Sequence, residues 1–241
     1  MAAAGSAAAE PPRRPVIVMV MARSVNTSPA HTLPPTAFRL SVSARLVWQS
    51  LSTLIILVLI CAVGLVAIGS GTGLIALPFE MFVLAEKMPF VFRAHMLTAA
   101  FALLLAPVVI AMRHRPATHR MLGRVLGAFV VAGGLTALPV AIFSASSLTA
   151  RAGFFAQGVV WLGLLAAGVH AIRHGRRALH QRMMLAMVAV TTGAVWFRLM
   201  TGTAIALQVP FEPVYAAAAW LGWLIPLGLV LLSPRLVRAF G

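Results

Sequence analysis

Three histidines of this sequence, His95, His119 and His180, fall at the edges of long apolar runs, and Arg198 falls inside one. Imidazoles presented by two different helices can ligate a haem iron axially, and nearby guanidinium groups can meet its propionates. By residue type, His119 and His180 with Arg113, Arg120, Arg124 and Arg173 have the composition of such a site, with haem b as the candidate cofactor. His95 is a third candidate ligand. The plainer reading of each is an interfacial residue that caps a helix and meets lipid headgroups.

Arg198 is the sharper anomaly. It lies about 24 Å along an ideal helix from Arg182, and an arginine at such depth is costly unless it faces a partner or a wet cavity. His95, Gln157, Glu80, Glu86 and Glu212 are the candidate neighbours at that level. An anionic ligand such as a quinol, a lipid or a haem propionate is equally suited. The competing reading is a side chain that snorkels to the nearest headgroups. No phosphate loop, nucleophile elbow, zinc-protease motif or pair of intramembrane carboxylates occurs, so no catalytic residue is assigned and no metal is expected beyond a haem iron. Cys61 is the single cysteine, which excludes an internal disulfide and a multi-cysteine metal site.

The elements that must position these residues are membrane helices. The chain has 241 residues, 61% of them hydrophobic and 10% charged, with a mean hydropathy of +0.98. A soluble domain of that size could not hide so much apolar surface. Runs of about 18 or more apolar residues mark helices able to cross a bilayer core, and six are drawn, at about 48–70, 93–112, 121–143, 154–172, 183–207 and 214–232. The expected fold is an all-α polytopic bundle over 44–241. Residues 1–43, rich in Ala, Pro and Ser, read as a disordered cytoplasmic tail. Pro78 and Pro89 bracket an expected short interfacial helix.

The net charge of +15 would suggest nucleic acid in a soluble protein, but its placement argues for topology. Arg113, Arg115, Arg120 and Arg124 cluster between the second and third spans, and Arg173, Arg176, Arg177 and Arg182 between the fourth and fifth. Basic residues gather in short cytoplasmic loops, which places both termini inside and the lipid bilayer, not nucleic acid, as the partner.

The segment IAMRHRPATHRMLGRVL aligns with HAIRHGRRALHQRMMLAM if one residue is inserted in the second loop, matching Arg113, His114 and His119 to Arg173, His174 and His180. This suggests a parallel repeat of a helix hairpin, although the charge bias of two cytoplasmic loops gives a similar look. On the fifth span His180 and Arg198 are 18 residues apart, about five turns of a continuous helix, with Met184, Met187 and Thr191 close to the same line.

The runs MRHRPATHRMLGRVLG and ALHQRMMLAMVAV and the arginine of AVWFRLM resemble a family of bacterial predicted membrane proteins, domain of unknown function 2306, over roughly Thr53–Leu207. The resemblance singles out His95, His119, Arg120, Gly123, Arg124, His180, Met183 and Arg198, with Gln181 standing where a basic residue often follows the histidine. It implies a multi-pass protein of the bacterial inner membrane and names no reaction. Three functions therefore stand side by side: a haem- or quinone-associated redox protein, a non-enzymatic factor that assembles or stabilises a membrane complex, and a transporter or lipid- or anion-binding protein.

Overall fold

The computed structural model describes residues 35–77 and 79–233, and the chain divides into two units, Met1–Leu46 and Val47–Gly241. The tail expected at 1–43 lies outside the described residues up to residue 34. From Pro35 onward the backbone is already helical.

The described residues form eight α-helices and no strand: α1 Pro35–Thr72, α2 Phe79–Lys87, α3 Pro89–Ala111, α4 Pro116–Phe143, α5 Leu148–Arg173, α6 Arg177–Thr191, α7 Gly193–Ala206 and α8 Phe211–Leu232. Six segments are long and apolar enough to cross a membrane, Val47–Thr72, Pro89–His114, Pro116–Phe143, Leu148–Arg173, Arg177–Ala206 and Phe211–Leu232. Each overlaps a sequence-drawn span, and several gain a turn at an end because polar caps and loop residues stay helical. Pro89 and Pro116 sit in the first turns of α3 and α4, where a missing N–H costs nothing. Helix α2 fills the interval between Pro78 and Pro89 and packs on α3.

Two hairpins organise the bundle, α3 with α4 and α5 with α6, and α8 packs on α5, α6 and α7. Their shared core includes Ala102, Val130, Trp161, Met187, Val190 and Trp223, all buried. Helix α1 leans on α3 through glycines. A side chain at Gly64 would meet Leu104 and one at Gly71 would meet Leu97. Its Leu54, Ile55 and Ile56 remain exposed, as suits a lipid-facing surface.

The two hairpins turn differently. Between α3 and α4 the chain makes a 3-10 turn, Met112–His114, before Pro116. After α5 it makes a Schellman turn, with Gly175 at φ 72. There Arg176 N–H donates to Ala171 O at 2.9 Å and Gly175 N–H to Ile172 O at 3.1 Å. The residue inserted in the sequence alignment falls in this turn.

The fifth span is not one continuous helix. It breaks at Thr192 between α6 and α7 without a proline. Thr191 Oγ1 donates to Met187 O at 2.9 Å and Thr192 Oγ1 to Ala189 O at 2.7 Å, back-bonding of the kind that bends helices. Gln157 of α5 then donates its Nε2 hydrogen to Val190 O at 3.1 Å, giving a donor to a last-turn carbonyl at the helix end. Gly193 lets α5 and α8 come close, since a Cβ there would lie 2.7 Å from Gln157 Nε2 and 2.9 Å from Trp223 Cβ.

Candidate functional site

The arginine-rich loops define a basic end of the bundle, and the polar residues buried in its body gather toward the other end. His119 and His180 belong to the basic end. Each is the fourth residue of its helix, and each backbone N–H bonds the N-cap carbonyl, Arg115 O at 2.9 Å and Arg176 O at 3.0 Å. Each ring then reaches back to the preceding helix of its own hairpin. His119 Nδ1 is 3.0 Å from Val109 O, and His180 Nδ1 is 2.8 Å from Gly168 O. A carbonyl only accepts, so both rings donate from Nδ1. The matched histidines thus make like inter-helix bonds, to acceptors one residue out of register in the two hairpins.

Helices α4 and α6 share no extended contact, and the structure does not bring His119 and His180 into one cavity. Arg120 and Arg124 lie one turn apart on the exposed face of α4, beside Met121 and Val125. Arg113 and Arg173 are exposed in the two turns. His170 and His174 pack ring to ring at 4.1 Å, and His174 Nδ1 donates to His170 O at 2.9 Å.

His95 and Arg198 line a partly open cavity of about 250 Å³ on the far side of the bundle. Five helices, α3, α4, α5, α7 and α8, wall it, the end of α6 meets it at Thr191, and α2 covers it with Met81 and Leu84. His95 lies about 9 Å into α3 and Arg198 about 12 Å before the end of α7. His95 Nδ1 is 3.0 Å from Gly133 O, so Nδ1 carries the hydrogen and Nε2 of the neutral ring is an acceptor. Gly133 makes this crossing tight enough, because a Cβ there would meet Trp161 at 3.2 Å and Thr98 Oγ1 at 3.3 Å.

Gln157 is fixed in the same way. Its Nε2 donates one hydrogen to Val190 O, which leaves the second N–H and the amide oxygen. Trp161 Nε1 donates to Thr191 Oγ1 at 2.8 Å. The guanidinium of Arg198 donates from NH1 to Ala194 O at 3.2 Å, and its further donors are left for the cavity it lines. Among the described residues no carboxylate lines the cavity. Glu86 and Glu212, expected as neighbours of Arg198, are exposed elsewhere, and the Glu80 side chain lies outside the described residues.

Depth alone had grouped Arg198 with His95 and Gln157, and the cavity brings these three together. The helix breaks at Thr192, and Thr191 from the line of His180 still lines the cavity with Arg198. What sequence reasoning missed is the aromatic wall. Tyr215, the single tyrosine, meets Phe197 at 5.0 Å and Phe154 at 5.8 Å edge to face, and Phe154 meets Phe197 at 5.2 Å. The available signal was one tyrosine near the start of the last span, at the same level as Arg198.

The arrangement is that of a multi-pass helical membrane protein with a partly open, apolar-walled cavity inside the bundle that His95, Gln157 and Arg198 line. The chain belongs to the family described as "Predicted membrane protein (DUF2306)", which matches residues 92–233. The match takes in α8 and begins within α3, so it starts later and ends later than the resemblance drawn from the motifs. No curated protein and no solved structure matches the chain.

Proposed function

We propose that this membrane protein binds the polar head of a membrane-dissolved amphipathic ligand, of the quinone or lipid class, with Arg198 as its main anchor. The observation that carries this reading is the convergence of His95, Gln157 and Arg198, from three separate spans, on one cavity with aromatic walls. A guanidinium held in a low-dielectric site with no described carboxylate beside it attracts an oxygen-rich or anionic head strongly. The volume of about 250 Å³ lies below the roughly 300–1,000 Å³ of pockets that enclose drug-sized ligands. It suits a headgroup whose tail stays in lipid, and it argues against a porphyrin. The rings of His119 and His180 have a sufficient structural role as hairpin ties, which favours the cavity over a haem site at the basic end.

A photoactivatable fatty acid or quinone analogue tests the reading. Crosslinks should concentrate on α3, α5, α7 and α8 residues of the cavity and disappear in Arg198→Gln. Labelling spread over the lipid-facing surface and unchanged in that variant would refute it.

The arginine-rich loops support a bacterial inner-membrane topology with both termini cytoplasmic. In a Cys61→Ala background, a cysteine placed at His114 should resist an impermeant maleimide in intact spheroplasts. Labelling there would reverse the orientation.

A further inference from the structure

We infer that the head this cavity takes is a hydroxyl-bearing ring of the hydroquinone class, with an O–H donated to His95 Nε2 and a second oxygen held by Arg198. The inference rests on the ligand-binding reading above and adds the chemistry of the head.

It follows from what each polar atom can still do. His95 has its Nδ1 hydrogen committed to Gly133 O, so in the neutral ring Nε2 is an acceptor. Gln157 has one of its two amide hydrogens committed to Val190 O, so it keeps one N–H donor and the Oε1 acceptor. Trp161 and Thr191 are occupied with each other and with Met187 O. Arg198 supplies the charged donors and bonds Ala194 O from one nitrogen, and Tyr215 and Ser144 line the same cavity.

The site therefore pairs one cation with one fixed acceptor, Nε2 of the neutral His95 ring, and with Gln157, which can accept or donate. A carboxylate or fully ionised phosphate is an acceptor only. It would satisfy Arg198 and the remaining N–H of Gln157 and set a lone pair against that of His95 Nε2. A head that both donates and accepts satisfies all three. A flat ring also suits the walls, where Phe154, Phe197 and Tyr215 form an edge-to-face cluster with spacings of 5.0–5.8 Å, since aromatic faces and edges pack favourably against a further ring. A cavity of about 250 Å³ holds one such ring and leaves its alkyl tail to the bilayer.

Isothermal titration of the full chain in detergent, under anaerobic conditions, tests this with 2-decylhydroquinone, its dimethyl ether and decanoate. The hydroquinone should bind saturably, and the ether, which has lost both O–H donors, should bind about tenfold more weakly or worse. Decanoate should also be weaker than the hydroquinone. His95→Phe should bring the hydroquinone down to the level of the ether, and His95→Gln, which restores an acceptor, should recover part of the loss. If a His95 variant does not fold, the comparison of hydroquinone with ether on the unaltered protein decides alone. Equal binding of ether and hydroquinone, or tighter binding of decanoate that Arg198→Gln removes, would overturn the hydroquinone assignment and leave the ligand-binding reading standing. Saturable binding of none of the three would overturn both.

Discussion

The basic end and the cavity end of the bundle use the same bond in different settings. At the basic end His119 and His180 donate Nδ1–H to Val109 O and Gly168 O and tie each hairpin across its own turn. At the cavity end His95 donates Nδ1–H to Gly133 O and ties α3 to α4 in the same way. The difference lies in the rest of the surroundings. His119 and His180 stand among exposed arginines next to loops, whereas His95 shares an apolar-walled cavity with Gln157 and Arg198. A backbone bond that fixes a ring is thus a structural device in itself. It becomes part of a binding site where the ring's other nitrogen is left beside a cation and a cavity.

Three substitutions sharpen that contrast. Arg198→Gln should have the largest effect on binding, a loss of roughly 30-fold or more, since hydrogen bonds from a charged donor contribute about 1.5–3 kcal/mol. No described carboxylate would be orphaned by the change, so thermal stability in detergent should fall little. A collapse of stability with unaltered affinity would make Arg198 a structural residue instead.

Gly193→Ala comes next. Its Cβ would press on Trp223 Cβ at 2.9 Å as well as on Gln157, and overpacking of this kind costs about 1–3 kcal/mol. A lower unfolding midpoint together with weaker binding is expected, because the clash falls on the wall that orients Gln157. Unchanged stability would show that the α6–α7 break is loosely packed.

His119→Phe and His180→Phe should have the smallest effects. Each removes one inter-helix bond worth about 1 kcal/mol. The two losses should be similar, and neither should alter ligand affinity. Loss of binding in either would move the site to the basic end.

Much of the frame was legible in the sequence. Six apolar runs separated by charged or Pro-rich turns can only be spans, and Pro78 and Pro89 bracketed α2 because proline favours a helix's first turn, although Pro107, Pro139 and Pro226 lie inside α3, α4 and α8. The matched histidines were visible as a spacing. Their shared role was not, because the acceptors are backbone carbonyls, and Val109 O leaves no trace in residue type. The break at Thr192 was missed for a related reason. It comes from threonine hydroxyls bonding back to Met187 O and Ala189 O and from a glutamine reaching over from α5, with no proline to announce it. The stripe drawn from His180 to Arg198 runs across that break, with Met187 and Thr191 buried and Thr191 lining the cavity with Arg198. Depth counting did gather His95, Gln157 and Arg198, since each is placed by its distance from a span end. The aromatic wall stayed hidden, because Phe154 and Phe197 in apolar runs look the same whether they face a core, a lipid or a cavity.

Native mass spectrometry of protein released gently from its own membrane tests the central claim most directly. The unaltered chain should carry a small amphiphile that Arg198→Gln lacks and that His119→Phe and His180→Phe both retain. The same bound mass in Arg198→Gln, or its loss from either basic-end variant, would contradict the assignment of the site to the cavity of His95, Gln157 and Arg198.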